Sequence, residues 1–221
     1  MLIPLQIRHQ GSRLKTNQTV FFMSKGEQTR ARVVEQAAEL FNQQGYAGSS
    51  LTDIMQATGL RKGGIYNHFV SKEQLALEAF DHAVQSCSEQ IMKGLEDEPN
   101  SVDQLRRMVT NFAQFSTKAP PIAGGCPLMN TAIESDDRGG PLLEHARAAM
   151  QQWHQAIHQL VLRGIAQGEI APDADETLVA TLLISSLEGA LMLSKLYADG
   201  TYMQTMADHL HAYLEDQVRR R

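Results

Sequence analysis

The sequence predicts an all-α protein. Three observations carry that expectation: apolar residues recur at helical spacing along most of the 221-residue chain, the interruptions fall at glycine- or proline-bearing turns, and no run alternates with the two-residue period of a half-buried strand. The breaks are Gly59-Leu60-Arg61, Glu98-Pro99-Asn100, Ala119-Pro120-Pro121, Gly139-Gly140-Pro141, Gly168 with Pro172, and Asp199-Gly200. No internal repeat stands out.

A first helix over Thr29–Gln44 rests on Val33, Val34, Ala37, Ala38, Leu40 and Phe41, which keep helical spacing. The next segment is the most informative. Ser50 with Asp53 three residues on reads as a capping box, so a second helix starts at about Leu51, and Gly59 supplies its sharp stop. A very short third helix then runs from Lys62 to Phe69, with Ile65 and Phe69 four apart facing inward and a small, basic, hydroxyl-bearing outer face. Ser71 with Gln74 caps a long fourth helix. Two short helices around a tight turn, supported by a helix before and after, are the layout of a DNA-reading helix-turn-helix.

The chemistry of that outer face follows from its residues. Consecutive glycines cost helix stability, each about 1 kcal/mol worse than Ala in a helix interior, and close approach of backbone to a base edge or phosphate would offset the loss at Gly63 and Gly64. Arg61 and Lys62 are first-turn cations that the helix dipole disfavours and DNA phosphates or guanine edges would favour. Tyr66 and His68 can donate to phosphates, Asn67 can pair with adenine, and Lys72 is placed as a point charge for the backbone. With Ser50 these form the candidate DNA-binding set; each residue taken singly also has the reading of an ordinary surface side chain.

The stretch from about residue 27 to 80 resembles the TetR family of transcriptional repressors. Phe41, Gly45, Tyr46, Ser50, Lys62, Gly63, Ile65, Tyr66, His68, Phe69 and Lys72 occupy the family's pattern without a gap. Arg61 and Asn67 depart from its commonest form, both on the reading helix, so operator preference is where this chain should differ. The resemblance implies a homodimer on a near-palindromic double-stranded operator, with the last two helices of each subunit forming a four-helix dimer bundle; residues 174–218 occupy that place.

Residues 1–23 carry Arg8, Arg13 and Lys15 with no acid and end at Met23. They lack the sustained apolar region of a secretory signal. A basic arm for a DNA groove and a start called too early are the readings left, and the expectation is a disordered or artefactual extension. The DNA-binding unit is then expected over residues 24–75 and a larger effector-binding and dimerisation unit over 76–221, with helices at about 71–93, 101–118, 126–135, 140–167, 174–198 and 201–218. From Glu176 to Leu196 apolar residues occupy more than one helix face, which requires burial in the core or against a second subunit.

Met92, Met108, Phe112, Phe115, Met129, Met150 and Trp153 are the candidate linings of an apolar effector cavity, with simple core packing as the competing reading. Cys126, in Gly124-Gly125-Cys126-Pro127, lies at a helix start, where the dipole lowers a thiol pKa and favours reaction with electrophiles or oxidants. This segment resembles that of TetR relatives of the NemR kind, which sense electrophiles through such a cysteine; a packed structural thiol is the alternative. His154 and His158, four apart, make only a weak metal motif, and no cofactor is expected.

Composition narrows the function classes. A net charge of −5 excludes bulk electrostatic binding to nucleic acid, so DNA contact must come from a local patch, for which Arg30, Arg32, Arg61, Lys62 and Lys72 are available. That weighs against an architectural DNA binder. Two cysteines, Cys87 and Cys126, suit a reducing, cytoplasmic compartment, and no apolar run is expected to reach membrane-span length. The remaining alternative is an enzyme using Cys126 as nucleophile, which a distant His would have to serve. The expectation is a DNA-binding regulator, not an enzyme, released by a small apolar or electrophilic effector.

Overall fold

A computed structural model describes residues 24–117 and 120–220. The expectation for residues 1–23 lies outside them. The described chain is helical from end to end: α1 Lys25–Gln44, α2 Leu51–Thr58, α3 Lys62–Tyr66, α4 Lys72–Met92, α5 Ser101–Thr117, α6 Pro127–Ser135, α7 Pro141–Gln167, α8 Glu176–Leu196 and α9 Thr201–Tyr213, with a 3₁₀ turn at Leu95–Asp97 and a π turn at Leu214–Val218. The all-α expectation holds.

Helix starts follow side-chain chemistry. α1 begins four residues earlier than its apolar pattern suggests, because Ser24 and Glu27 form a reciprocal capping box: the Ser24 N–H donates to Glu27 Oε2 at 2.7 Å and the Glu27 N–H to Ser24 Oγ at 3.2 Å. Ser50 and Asp53 repeat the device on α2, and Gly59 ends that helix in the left-handed region at φ 66°. Ser71 accepts from the Gln74 N–H at the start of α4. α3 is shorter than expected. It closes at Tyr66, and the chain continues as a turn that brings Phe69, 1% exposed, into the core. Two glycines in five residues leave little to propagate a longer helix.

Two cores result, and α4 serves both. Val33, Ala37, Ile54, Ile65, Phe69 and the first turns of α4 (Leu75, Ala79, Ala83) pack together with Ile122. Phe80, Cys87 and Ile91, farther along α4, join the larger core of α5 to α9. α8 corrects one expectation: an 18-residue window of it has mean hydropathy 1.6 and meets the length and composition of a membrane span. Half of that window is buried within the chain, while Leu178, Met192 and Leu196 stand exposed.

The two cores are stitched at the end of α1. The Asn42 side-chain amide donates to the carbonyls of Ala123 at 2.8 Å and Gly125 at 3.0 Å, and the Asn130 amide donates to Asn42 Oδ1 at 2.9 Å. Glu134 on α6 accepts from the backbone N–H of Tyr46 at 2.9 Å and Ala47 at 2.8 Å. The chain passes so close here that a Cβ on Gly124, at φ 112°, would lie 2.6 Å from the Asn42 carbonyl oxygen.

Candidate functional site

α3 is held from behind and bare in front. Ile65 is buried in the smaller core, while Arg61, Lys62, Gly63, Tyr66 and Asn67 are exposed on the other side. Arg61 is the N-cap residue of α3 but makes no side-chain cap, so its guanidinium is not spent on the helix. Lys62 lies 5.9 Å from the centre of the Tyr66 ring. Asn67 closes the helix through its backbone N–H to Gly63 O at 3.0 Å, leaving its side chain outward.

The glycines are informative because the chain itself does not need them. A Cβ at Gly63 would meet nothing within 4 Å, and one at Gly64 would sit 3.5 Å from Leu60, an ordinary contact. Neither has positive φ. Neither internal packing nor backbone conformation therefore requires glycine at these two positions.

Other members of the sequence-derived set are placed differently. Ser50 is engaged as the α2 cap. His68 is half-buried, tilted against Phe69 with ring centres 6.4 Å apart. Lys72 is not the free point charge expected: its ammonium donates to Tyr46 O at 2.6 Å and lies 4.2 Å from the Tyr46 ring centre, and burial lowers its pKa against the opposing pull of Glu134 and Asp53. Arg30 is likewise engaged, 2.6 Å from Glu78 and over the Phe69 ring. Arg32 is exposed. The free basic charge beside α3 is thus narrower than the sequence suggests.

In the larger core, Met92, Met108, Phe112, Phe115, Met129, Met150 and Trp153 do come together. Phe112 stacks on Trp153 at 5.7 Å between ring centres and meets Phe115 at 5.3 Å. Met108, Phe112 and Phe115 are buried, and Met92, Met129, Met150 and Trp153 pack half-buried against that core. Only Met150 among them reaches a groove of about 660 Å³ on α6, α7 and the start of α8, lined also by Leu143, Ala146, His154 and Thr177. His154 and His158 each turn to α8, to Thr181 at 3.3 Å and Glu176 at 3.4 Å, and among the described residues no three His, Cys, Asp or Glu side chains stand close enough to hold a metal ion.

Cys126 requires a correction. It is the N-cap residue of α6, with Pro127 at the first helical position as expected, but it is buried and its thiol pKa is raised well above the ordinary value. Burial is the larger cause and the Glu188 carboxylate the next; together they outweigh the helix start. Cys87 is pushed up to about 12 by burial and the same carboxylate. Neither thiol has the exposure or thiolate character of a reactive cysteine.

Glu188 is the residue that sequence reasoning missed. It is 7% exposed, the one charged side chain among the buried residues described, and neither carboxylate oxygen has a hydrogen-bond partner of good geometry. Burial raises its pKa to about 7, opposed only by interaction with the Cys126 thiol. The signal was present: a lone carboxylate within Leu187-Glu188-Gly189-Ala190-Leu191, in an otherwise apolar helix.

The family model described as "Bacterial regulatory proteins, tetR family" matches residues 33–79, and "Tetracyclin repressor-like, C-terminal domain" matches 101–210. A TetR transcriptional regulator from Chloroflexus aurantiacus J-10-FL is 47% identical, with TM-score 0.86, covering 90% of this chain and 100% of that one. A TetR-family regulator from Cytophaga hutchinsonii is 31% identical, with TM-score 0.79, covering 88% and 96%. The HTH-type transcriptional repressor DhaR of Mycobacterium sp. (strain GP1) is 29% identical over 167 residues, 76% of this chain and 82% of its own.

Proposed function

Because the chain belongs to the TetR family of helix-turn-helix transcriptional regulators, we propose that it represses transcription as a homodimer on a near-palindromic operator and is released by a small molecule. The DNA-binding unit spans residues 24–75 and the regulatory unit 76–221, and the protein acts in the cytoplasm, where its DNA is. The observation that carries the reading is the bare face of α3, where Arg61, Lys62, Gly63, Tyr66 and Asn67 are exposed around glycines whose missing side chains serve no internal contact. Arg61 and Asn67 read base edges; Lys62 and Tyr66 hold phosphate.

Dimerisation through residues about 174–218 is supported by the apolar side chains that α8 leaves uncovered, Leu178, Met192 and Leu196, beside the stacked Tyr197 and Tyr202. A two-fold dimer sets two reading helices one turn of DNA apart, about 34 Å, hence a palindrome. Ligand release is favoured over thiol modification because both cysteines are buried with raised pKa values. The same burial disfavours Cys126 as an enzymatic nucleophile.

The test is selection from randomised DNA followed by sedimentation of the complex. A palindromic consensus bound by two subunits is expected, with altered preference in Arg61→Ala and Asn67→Ala. A consensus without two-fold symmetry, or one unchanged by both variants, would overturn the reading.

A further inference from the structure

Glu188 stands apart from everything the DNA-binding account uses. A buried ionised carboxylate without partners is costly, and native proteins neutralise it, pair it or use it. Among the described residues no charged group pairs with it: the neutral thiols of Cys126 and Cys87 act on it, and only the Cys126 thiol interacts with the carboxylate directly, without good hydrogen-bond geometry. The larger core holds a second such group, the indole N–H of Trp153, buried with no acceptor among the described residues. That indole ring belongs to the Phe112–Trp153 stack, whose π faces suit a cation with an apolar body.

A groove adjoins this core. Ala146 and Met150 line the floor of the groove of about 660 Å³ and at the same time pack on the core that contains the aromatic stack. The contacts His154–Thr181 and His158–Glu176 set α7 antiparallel to α8, and following that register toward the start of α7 brings Ala146 and Arg147 level with Glu188. The flexible Met150 side chain thus touches both groove and core, and the groove's volume suits a drug-sized ligand.

Resting on the repressor reading above, we propose that the effector is an organic cation with an apolar body, entering past Met150 and placing its positive group against Glu188. Bound there, the cation supplies the charged partner that the carboxylate lacks and competes with the Cys126 thiol. Cys126 is the N-cap residue of α6, and α6 carries Asn130 and Glu134, which hold the end of α1 and the Tyr46–Ala47 backbone before α2. Displacement at Cys126 therefore reaches the DNA-binding unit through hydrogen bonds already in place. A metal cation is a poorer occupant, since no third ligand joins the group among the described residues.

The experiment measures the melting temperature of the DNA-free protein against increasing benzyltrimethylammonium or phenethylammonium, with 2-phenylethanol and phenylacetate as neutral and anionic counterparts. The wild type is expected to gain stability from at least one cation and from neither counterpart. Glu188→Gln, near-isosteric but neutral, should need on the order of tenfold or more cation for the same shift, while Glu188→Asp keeps the preference for cations. The proposal is overturned if neither cation shifts the wild type, if counterpart and cation act equally, or if Glu188→Gln responds as the wild type does. Operator affinity without any probe is measured in parallel: its absence in the wild type would sink the repressor reading and leave the cation result standing.

Discussion

Replacing Glu188 by Gln removes the one charged side chain buried in the described structure, and pH sets the size of the effect. In the unfolded chain the carboxyl titrates near its ordinary 4.5, whereas burial in the folded protein raises it to about 7. Between those values the native state holds a proton that the unfolded chain releases. Stability therefore falls as pH rises through this window, the reverse of the usual paired carboxylate. At about 1.4 kcal/mol per pH unit of separation, the loss amounts to about 3 kcal/mol on going from about pH 4.5 to about pH 8. For a chain of this length that is roughly 6–12 °C in melting temperature. Calorimetric melts of wild type and Glu188→Gln across that range, at one protein concentration, isolate the effect: the variant should gain on the wild type as pH rises. Parallel curves for the two proteins would refute the reasoning.

Three further outcomes follow from named contacts. Glu134→Ala removes the acceptor of the Tyr46 and Ala47 N–H groups and should cost about 1–2 kcal/mol by urea denaturation, with weaker operator binding; unchanged stability and affinity would show that the junction carries nothing. Gly124→Ala forces a Cβ to within 2.6 Å of the Asn42 carbonyl at a positive φ and should destabilise by about 2 kcal/mol or more, read from the same unfolding curves; a neutral result would mean that the loop moves freely. Cys87 and Cys126 should resist a thiol-specific chromogenic reagent in the native protein and react on denaturation; fast native reaction at Cys126 would restore the thiol-switch alternative.

The parts of the fold governed by local chemistry were legible in the sequence. Capping pairs such as Ser50–Asp53 and stops such as Gly59 fix helix ends by bonds between near neighbours, so pattern and structure agree there. α3 was read too long because its end depends on Phe69 being drawn into a core built from distant residues. The engagement of Lys72 by Tyr46 and of Arg30 by Glu78 is likewise tertiary, and it trims the basic patch in a way that spacing could not disclose. Cys126 illustrates the same limit for chemistry: its helix-start position argues for a thiolate, but burial and Glu188, sixty-two positions away in sequence, decide the opposite sign. Glu188 itself could have been singled out from its apolar surroundings alone.

The central claim is that α3 reads DNA, and Gly63→Ala tests it most directly because fold and function separate at that position. Nothing within 4 Å opposes the added methyl, so melting temperature should stay the same or rise by the equivalent of about 0.5 kcal/mol. Fluorescence-anisotropy titration of the DNA flanking the protein's own gene should meanwhile show operator affinity lower by on the order of tenfold or more, the loss of roughly 1.4 kcal/mol or more that a blocked backbone approach implies. Undiminished affinity in a normally folded Gly63→Ala protein would contradict the account.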